Sequence, residues 1–313
     1  VARGPELLPL TVARIVRESA DIVSVELVDP SGTPLPAWEP GAHLDLQLVT
    51  RQQRQYSLCG DPADRHTYRI GVLREALSRG ASMYIHDFLR VGSTVYARPP
   101  RNLFPLVPAP RYLLLAAGIG ITPILPMAAR LAGTGAAWEM NYAVRDEQHL
   151  PFRADIARLG DRVTVNSRER AGRLDLGKLL APPRPGTAVY ACGPGRFIDA
   201  VEAAMAQWPA GSLHLERFEP KPITPRPNAA FTVHCVRSDV SVEVPADRSM
   251  LQALTDHELP VTGSCLRGVC GSCAVRVVGG GVEHRDSLTT DDATTVMYPC
   301  VSRATTARLA VDL

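Results

Sequence analysis

Ser264-Cys-Leu-Arg-Gly-Val-Cys-Gly-Ser-Cys273, with Cys300 beyond it, sets the architecture expected of this 313-residue chain. Three cysteines fall at C-x4-C-x2-C, and the fourth stands 27 residues further on. Three thiolates in one short loop can wrap one side of a small inorganic cluster, while the fourth closes it from a distant segment. This is the ligand spacing of a plant-type 2Fe-2S centre, with Cys265, Cys270, Cys273 and Cys300 as metal ligands. Gly268 and Gly271 let the loop fold tightly, so that backbone N–H groups can point at the sulfurs. Zinc also takes four cysteines, but its sites favour paired C-x2-C knuckles, and only one such pair is present. A disulfide framework fits less well, because the chain is long, shows no signal peptide and crowds these cysteines into a glycine-rich loop. A chain with such a centre moves electrons one at a time.

Composition bounds the rest. The apolar share (45%) and charged share (21%) are those of a soluble globular protein, and the length allows two or three domains. A net charge of +2 provides no broad basic field, which excludes nucleic acid as a partner. Cys59, Cys192 and Cys235 lie outside the cluster set and fit a reducing, cytoplasmic setting. Tyr112–Ala129 carries no charge and is long enough to raise a membrane helix. Gly118, Gly120, Pro123 and Pro126 break it, so a buried strand, a glycine turn and a helix are expected instead, with no membrane partner. The chain opens on Val1 rather than Met, as an excised piece of a longer polypeptide would.

The expected fold class is multi-domain. Residues 1–107 hold short strands (Ile22–Val28, His43–Leu48, Arg54–Leu58, Tyr68–Leu73, Thr94–Ala97) punctuated by Pro and Gly, as an antiparallel β-barrel requires, with a helix over Ser82–Leu89. Residues 108–217 alternate strand and helix: Tyr112–Ala116, Thr122–Leu131, Trp138–Val144, Arg162–Val165, Ala188–Cys192 and Arg196–Gln207. That pattern argues for a doubly wound α/β domain. Residues 218–228 form a stiff linker, with four prolines in Phe218-Glu-Pro-Lys-Pro-Ile-Thr-Pro-Arg-Pro227. Residues 229–313 form the α+β cluster domain, with a hairpin Phe231–Val236/Val240–Val244 and a helix Met250–His257.

Arg54-Gln-Tyr-Ser-Leu58 lies on a barrel strand and resembles the R-x-Y-S flavin signature of ferredoxin reductase-type barrels. The resemblance implies that Tyr56 packs on the isoalloxazine, Ser57 hydrogen-bonds its N5 edge and Arg54 holds a flavin phosphate. Arg79-Gly-Ala-Ser82 opens the helix, and free N–H groups at Gly80, Ala81 and Ser82 suit the same phosphate. Relatives with FMN carry a more glycine-rich turn, and Ala81 departs from that; an ordinary cap at Ser82 is the plainer reading. Gly71, Val72 and Leu73 resemble the strand lining the ring in FMN members.

Gly118-Ile-Gly-Ile-Thr-Pro123 follows the apolar strand. Pro123 replaces the third glycine of the Rossmann fingerprint, and the turn matches the reductase-type G-x-G-x-T-P instead. Gly118, Gly120, Ile121 and Pro123 then meet a dinucleotide, and Thr122 faces the flavin. Cys192-Gly193-Pro194 ends a later strand, where open α/β sheets bind ligands; the resemblance puts it beside the nicotinamide, against a plain reading of Cys192 as a small buried residue. Ser167 and Arg168, with Arg145, resemble a clamp for the 2′-phosphate of NADPH, since a guanidinium forks onto phosphate. A solvated charged loop over Asn166–Arg170 is the alternative, and NADH stays open beside NADPH.

Barrel, nucleotide domain and ferredoxin in this order resemble the phthalate dioxygenase reductase family along nearly the whole chain. The resemblance implies FMN, a 2Fe-2S cluster and NADPH or NADH as cofactors, with hydride passing to the flavin and single electrons leaving through the cluster. It implies that Phe218 lies against the flavin, where a hydrophobic hinge residue is the alternative. It also implies an oxygenase acceptor, either a Rieske-type oxygenase in trans or a cytochrome P-450 haem domain in cis. The missing methionine and the NADPH clamp favour the fused origin, with Val1–Leu10 as the end of an interdomain linker. Two other functions compete: a redox-sensing flavin/Fe-S module without sustained turnover, and a zinc-stabilised flavin reductase.

Overall fold

A computed structural model describes residues 7–48, 53–75, 80–289 and 295–313. Arg79 and the first six residues of the expected linker Val1–Leu10 lie outside them. The chain divides between Glu216 and Arg217 into two compact units.

The first unit opens with β1 (Leu8–Arg17), β2 (Ile22–Val28), β3 (Ala42–Gln47), β4 (Gln53–Ser57), β5 (Thr67–Leu73), α1 (Ala81–Asp87), β6 (Thr94–Ala97) and β7 (Arg101–Asn102). The strands lie in the order β4-β3-β6-β1-β2-β5, with β7 paired to β3. A bridge from Leu58 to Ile70 joins the two ends of that order and closes a barrel. Period-two alternation turns Leu10 and Val12, Val25 and Leu27, Leu44 and Leu46, and Val95 and Ala97 into one apolar core. Asp45, between two such leucines, is buried and held by Arg101 at 2.7 Å and Gln55 at 2.6 Å.

There follow β8 (Arg111–Ala117), α2 (Ile121–Ala132), β9 (Ala137–Val144), α3 (Arg153–Arg158), β10 (Val163–Ser167), α4 (Arg168–Ala171), α5 (Leu176–Leu180), β11 (Thr187–Gly193), α6 (Gly195–Ala204) and β12 (Leu213–Arg217). They form a sheet in the order β10-β9-β8-β11-β12, with β10/β9, β9/β8 and β8/β11 parallel. Tyr112–Ala117 and all of β11 are buried, as central strands covered on both faces must be. The prolines of the uncharged stretch do not end its helix. Pro123 sits in the first turn of α2, where its missing N–H has no intrahelical partner to lose, and Pro126 is tolerated inside. Among the described residues, no helix is long and apolar enough to cross a membrane.

The second unit carries β13 (Phe231–Cys235), β14 (Val240–Val244), α7 (Met250–Asp256), β15 (Val275–Gly279), β16 (Val282–Glu283), β17 (Val296–Met297), β18 (Arg303–Ala304) and β19 (Arg308–Val311). Its main sheet runs β14-β13-β19-β15-β17, with β13 and β19 parallel at the centre, and β16 pairs β18 separately. Met250, Leu251 and Leu254 of α7 pack on Val233, Val242 and Leu309, which gives a β-grasp arrangement. Ser249 and Gln252 form a reciprocal capping box that starts α7 where it does.

Candidate functional site

In the first unit, the turn after β8 meets the barrel strand β5, and β12 meets the end of β4. Gly118 takes φ 54, and its carbonyl accepts a hydrogen bond from the Tyr142 hydroxyl at 2.9 Å. Gly120 is pressed against the chain of Cys192: a Cβ there would lie 2.2 Å from the Cys192 oxygen. The G-x-G-x-T-P turn and the Cys192-Gly193 end are therefore brought into backbone contact. Gly71, at the middle of β5, serves the same closeness from the barrel side. A Cβ on it would meet Thr122 Cγ2 at 2.7 Å and the Phe152 ring at 3.1 Å. Val72 and Leu73 continue that strand, and the Val72 carbonyl is held by the His86 ring at 3.0 Å. Ile121 and Pro123 are buried in the first turn of α2.

Ser57 ends β4, buried, and its hydroxyl donates to Glu216 Oε2 at 3.4 Å. Glu216, which sequence reasoning passed over, is a buried carboxyl at this junction. Burial lifts its carboxyl to about 8, with the Ser57 hydrogen bond pulling the other way. Burial also pushes the Cys192 thiol well above its usual range, and Glu216 adds to the shift. Ser57, Cys192 and Glu216 thus present a hydroxyl, a thiol and a protonated carboxyl at neutral pH. Tyr56 and Arg54 precede Ser57 on β4, half-buried, and burial raises the Tyr56 phenol pKa. Gly80 caps α1 at φ 102 without a side-chain hydrogen bond. Ser82 lies inside the first turn of α1 and accepts from the Glu75 N–H at 3.4 Å, so it is not the helix cap.

Arg145, Ser167 and Arg168 are gathered where β9 and β10 end side by side, with Ser167 opposite Val144. The stretch Asn166–Arg170, open to reading as a loop, is instead the end of β10 followed by α4. The Ser167 hydroxyl is buried without a hydrogen-bond partner. Arg145 leans on His149 and Asp146.

In the second unit, the four cysteines associate two and two. Cys265 and Cys270 act on each other's proton affinity, as do Cys273 and Cys300: one thiol of each pair, Cys265 or Cys273, is held below the usual thiol range and its partner above it. Cys265 goes to about 5, because the Cys270 thiol and the backbone N–H groups of Val269, Arg267 and Cys270 outweigh burial. The Arg267 N–H donates to Cys265 Sγ at 3.3 Å, and Cys270 Sγ lies 3.1 Å from the Ser272 hydroxyl. Two thiolates per iron is what a binuclear centre needs. Gly268 is needed twice over: it takes φ 70, and a Cβ would meet Val301 at 2.7 Å and the Asp286 backbone at 2.9 Å. Phe218 belongs to this unit, and its carbonyl accepts from Arg267 of the cysteine loop at 3.3 Å.

A closed barrel joined to a parallel sheet, followed in the chain by a cysteine-bearing β-grasp unit, defines a modular electron-transfer reductase. The 2Fe-2S iron-sulfur cluster binding domain family matches residues 233–305. The chain is 37% identical to phthalate dioxygenase reductase of Burkholderia cepacia, over 98% of this chain and 97% of that one. It is 40% identical to a vanillate O-demethylase oxidoreductase of Pseudomonas putida, over 95% and 96%. The solved structure of phthalate dioxygenase reductase superposes with a TM-score of 0.72 at 36% identity, over 98% of both chains. An intact type IV self-sufficient cytochrome P450 monooxygenase superposes at 0.92 and 39% identity, and there this chain spans 41% of the longer protein. The chain belongs to the phthalate dioxygenase reductase family and is an oxidoreductase that carries a 2Fe-2S ferredoxin domain.

Proposed function

We propose that this chain is the reductase component of an oxygenase system, drawing electrons from NADPH, or NADH, through FMN and the 2Fe-2S centre. The observation that carries the reading is the meeting of Ser57, Cys192, Glu216, Gly71 and Thr122 at one junction, in the same chain as a paired cysteine loop. We divide the chain into an FMN barrel (1–107), a nucleotide domain (108–217), a linker (218–228) and a ferredoxin (229–313). When bound, the flavin accepts a hydride and the cluster carries single electrons. The protein supplies position and protons.

Tyr56 offers its ring to the flavin, and Arg54 with the Gly80–Ser82 turn offers charge and N–H groups to its phosphate. Ser57, backed by Glu216, holds a proton where the N5 edge belongs, and a carboxyl near 8 is matched to proton exchange at neutral pH. Gly118, Gly120, Cys192 and Gly193 form the turn and strand end that would receive the nicotinamide, while Ser167, Arg168 and Arg145 suit a 2′-phosphate. Cys265, Cys270, Cys273 and Cys300 would hold the cluster, Cys265 with Cys270 on one iron and Cys273 with Cys300 on the other. The acceptor is an oxygenase, a haem domain in cis or a Rieske oxygenase in trans. With none of the seven cysteines in a disulfide, we place the chain in the cytoplasm.

Anaerobic titration with NADPH tests the core of this reading. Bleaching of the flavin band followed by loss of the broad cluster absorbance is expected; reduction of neither would sink it. Arg168→Ala tests the clamp: the NADPH/NADH ratio of kcat/KM should fall about tenfold or more, the scale of one lost charged hydrogen bond. An unchanged ratio would remove Arg168 from the site.

A further inference from the structure

Phe152, which neither the flavin signature nor the nucleotide turn includes, stands in an unusual position. It takes φ 53, left-handed backbone that a bulky residue rarely adopts, at the entry to α3, and it is 1% exposed. Its ring tip reaches the one point where Gly71, Thr122 and Ile119 converge. A Cβ on Gly71 would lie 3.1 Å from Phe152 Cζ, 2.7 Å from Thr122 Cγ2 and 3.5 Å from Ile119 Cδ1. Barrel strand, glycine turn and the segment before α3 therefore share one contact.

The same segment is stitched to the barrel along its length. The Ala20 N–H donates to the Gln148 carbonyl at 2.9 Å. The Phe152 N–H donates to Glu18 Oε2 at 3.3 Å, while Ser24 steadies the other oxygen of Glu18 at 2.7 Å. Arg69 of β5 lies over the Phe152 ring at 5.4 Å, donates to Asp155 at 3.0 Å and to the Cys59 carbonyl at 2.7 Å. A glycine would satisfy the backbone at 152 more readily. What a glycine cannot do is reach Gly71.

We propose that Phe152 is a positioning residue for hydride transfer, a strut that sets the spacing between the barrel strand lining the flavin and the turn that receives the nicotinamide. This rests on the flavin and coenzyme reading given above. The ring touches no reacting atom; it acts through Gly71 and Thr122. Removing it leaves both binding surfaces intact and frees the distance between them. Rate then suffers more than affinity, since a misplacement of about 1 Å costs on the order of 100-fold.

The test compares Phe152→Ala and Phe152→Leu in the full chain with flavin and cluster loaded. Anaerobic stopped-flow with saturating coenzyme should show the limiting rate of flavin reduction about 100-fold lower in F152A, with the coenzyme Kd moved less than about threefold. Reduction by dithionite should be unchanged, and F152L should recover about tenfold while staying at least about threefold below the parent. A limiting rate within twofold of the parent in both variants overturns the strut. If F152A folds poorly, F152L decides on the same criterion. Amide hydrogen exchange of the protein without coenzyme gives a readout independent of turnover: the Ala20 and Ile156 amides should exchange about tenfold faster in F152A. Unchanged exchange there overturns the strut whatever the kinetics. A parent protein that coenzyme cannot reduce would refute the flavin and coenzyme reading, and the exchange result would still judge Phe152.

Discussion

Replacing Gly120 by alanine separates crowding from backbone conformation. Gly120 has φ −62, which alanine adopts freely, so conformation alone would favour the change by at most about 1 kcal/mol. Space decides otherwise. The new Cβ would lie 2.2 Å from the Cys192 oxygen, 2.4 Å from its carbonyl carbon and 2.6 Å from the Gly193 nitrogen, the first of these some 0.8 Å short of the closest contact such atoms make. All three are backbone atoms of a fully buried central strand and cannot swing aside. Overpacking of this kind costs about 1–3 kcal/mol, here at the upper end, so a net loss of about 2 kcal/mol is expected. For a unit of this size that lowers Tm by roughly 4–8 °C. Gly118→Ala is the control with the opposite physics: φ is 54 and nothing lies within 4 Å, so only about 1 kcal/mol of left-handed strain is expected. Thermal unfolding of both variants, followed by circular dichroism, checks the order. Hydride transfer should fall up to about 100-fold in G120A, because the turn and the Cys192 end are pushed apart. A G120A protein melting with the parent, or one more stable than G118A, would refute the reasoning.

Cys270→Ala should abolish the cluster, with iron and sulfide absent on chemical analysis, while coenzyme still bleaches the flavin; retained iron would contradict the assignment of Cys270 as a ligand. Glu216 should make the coenzyme-free protein lose stability as pH rises. The unfolded carboxyl releases its proton near 4.5 and the folded one near 8, so between these values the folded state binds the extra proton and each step upward favours unfolding. Urea melts of Glu216→Gln across that window should show a flatter profile than the parent, and parallel profiles would count against the assignment. Arg303 is 5% exposed, stacks on Phe231 and donates to the carbonyls of Arg248, Ala229 and Pro245. Arg303→Ala should destabilise the second unit by about 3 kcal/mol or more, since each stranded carbonyl costs roughly 1–3 kcal/mol; a loss below about 1 kcal/mol in a denaturant melt would show that water replaces the guanidinium.

The sequence made legible what depends on local chemistry. The cysteine spacing, the glycines that carry positive φ in the cluster loop, and the continuous apolar run of β8 all translate directly into structure, because each is dictated within a few residues. β1 was not legible: Leu8–Arg17 mixes apolar and basic residues, and only its pairing with β2 and β6 makes it a strand. Glu216 was hidden for the same reason. Nothing in Glu216-Arg-Phe marks a carboxyl whose environment is built by Ser57, 159 positions earlier in the chain, and by Cys192. Phe152 gave no signal at all, since an aromatic after a proline in a polar stretch reads as a loop anchor. The shift at Asn166–Arg170 from loop to strand end and helix came from the parallel register with β9, which no local pattern encodes.

The pairing of Cys273 with Cys300 has a mechanical side. Iron held by both, as proposed above, would fasten together positions 27 residues apart, with β15, β16 and β17 inside the closed loop. By the same chain-entropy reasoning used for covalent bridges, such a tie removes about 3.5 kcal/mol of freedom from the unfolded chain. The redox centre is then also a fastener. A copy stripped of its iron opens more often, and proteases that sample opened states discriminate against it. Damage to the electron carrier is in this way converted into a shorter lifetime for the damaged molecule.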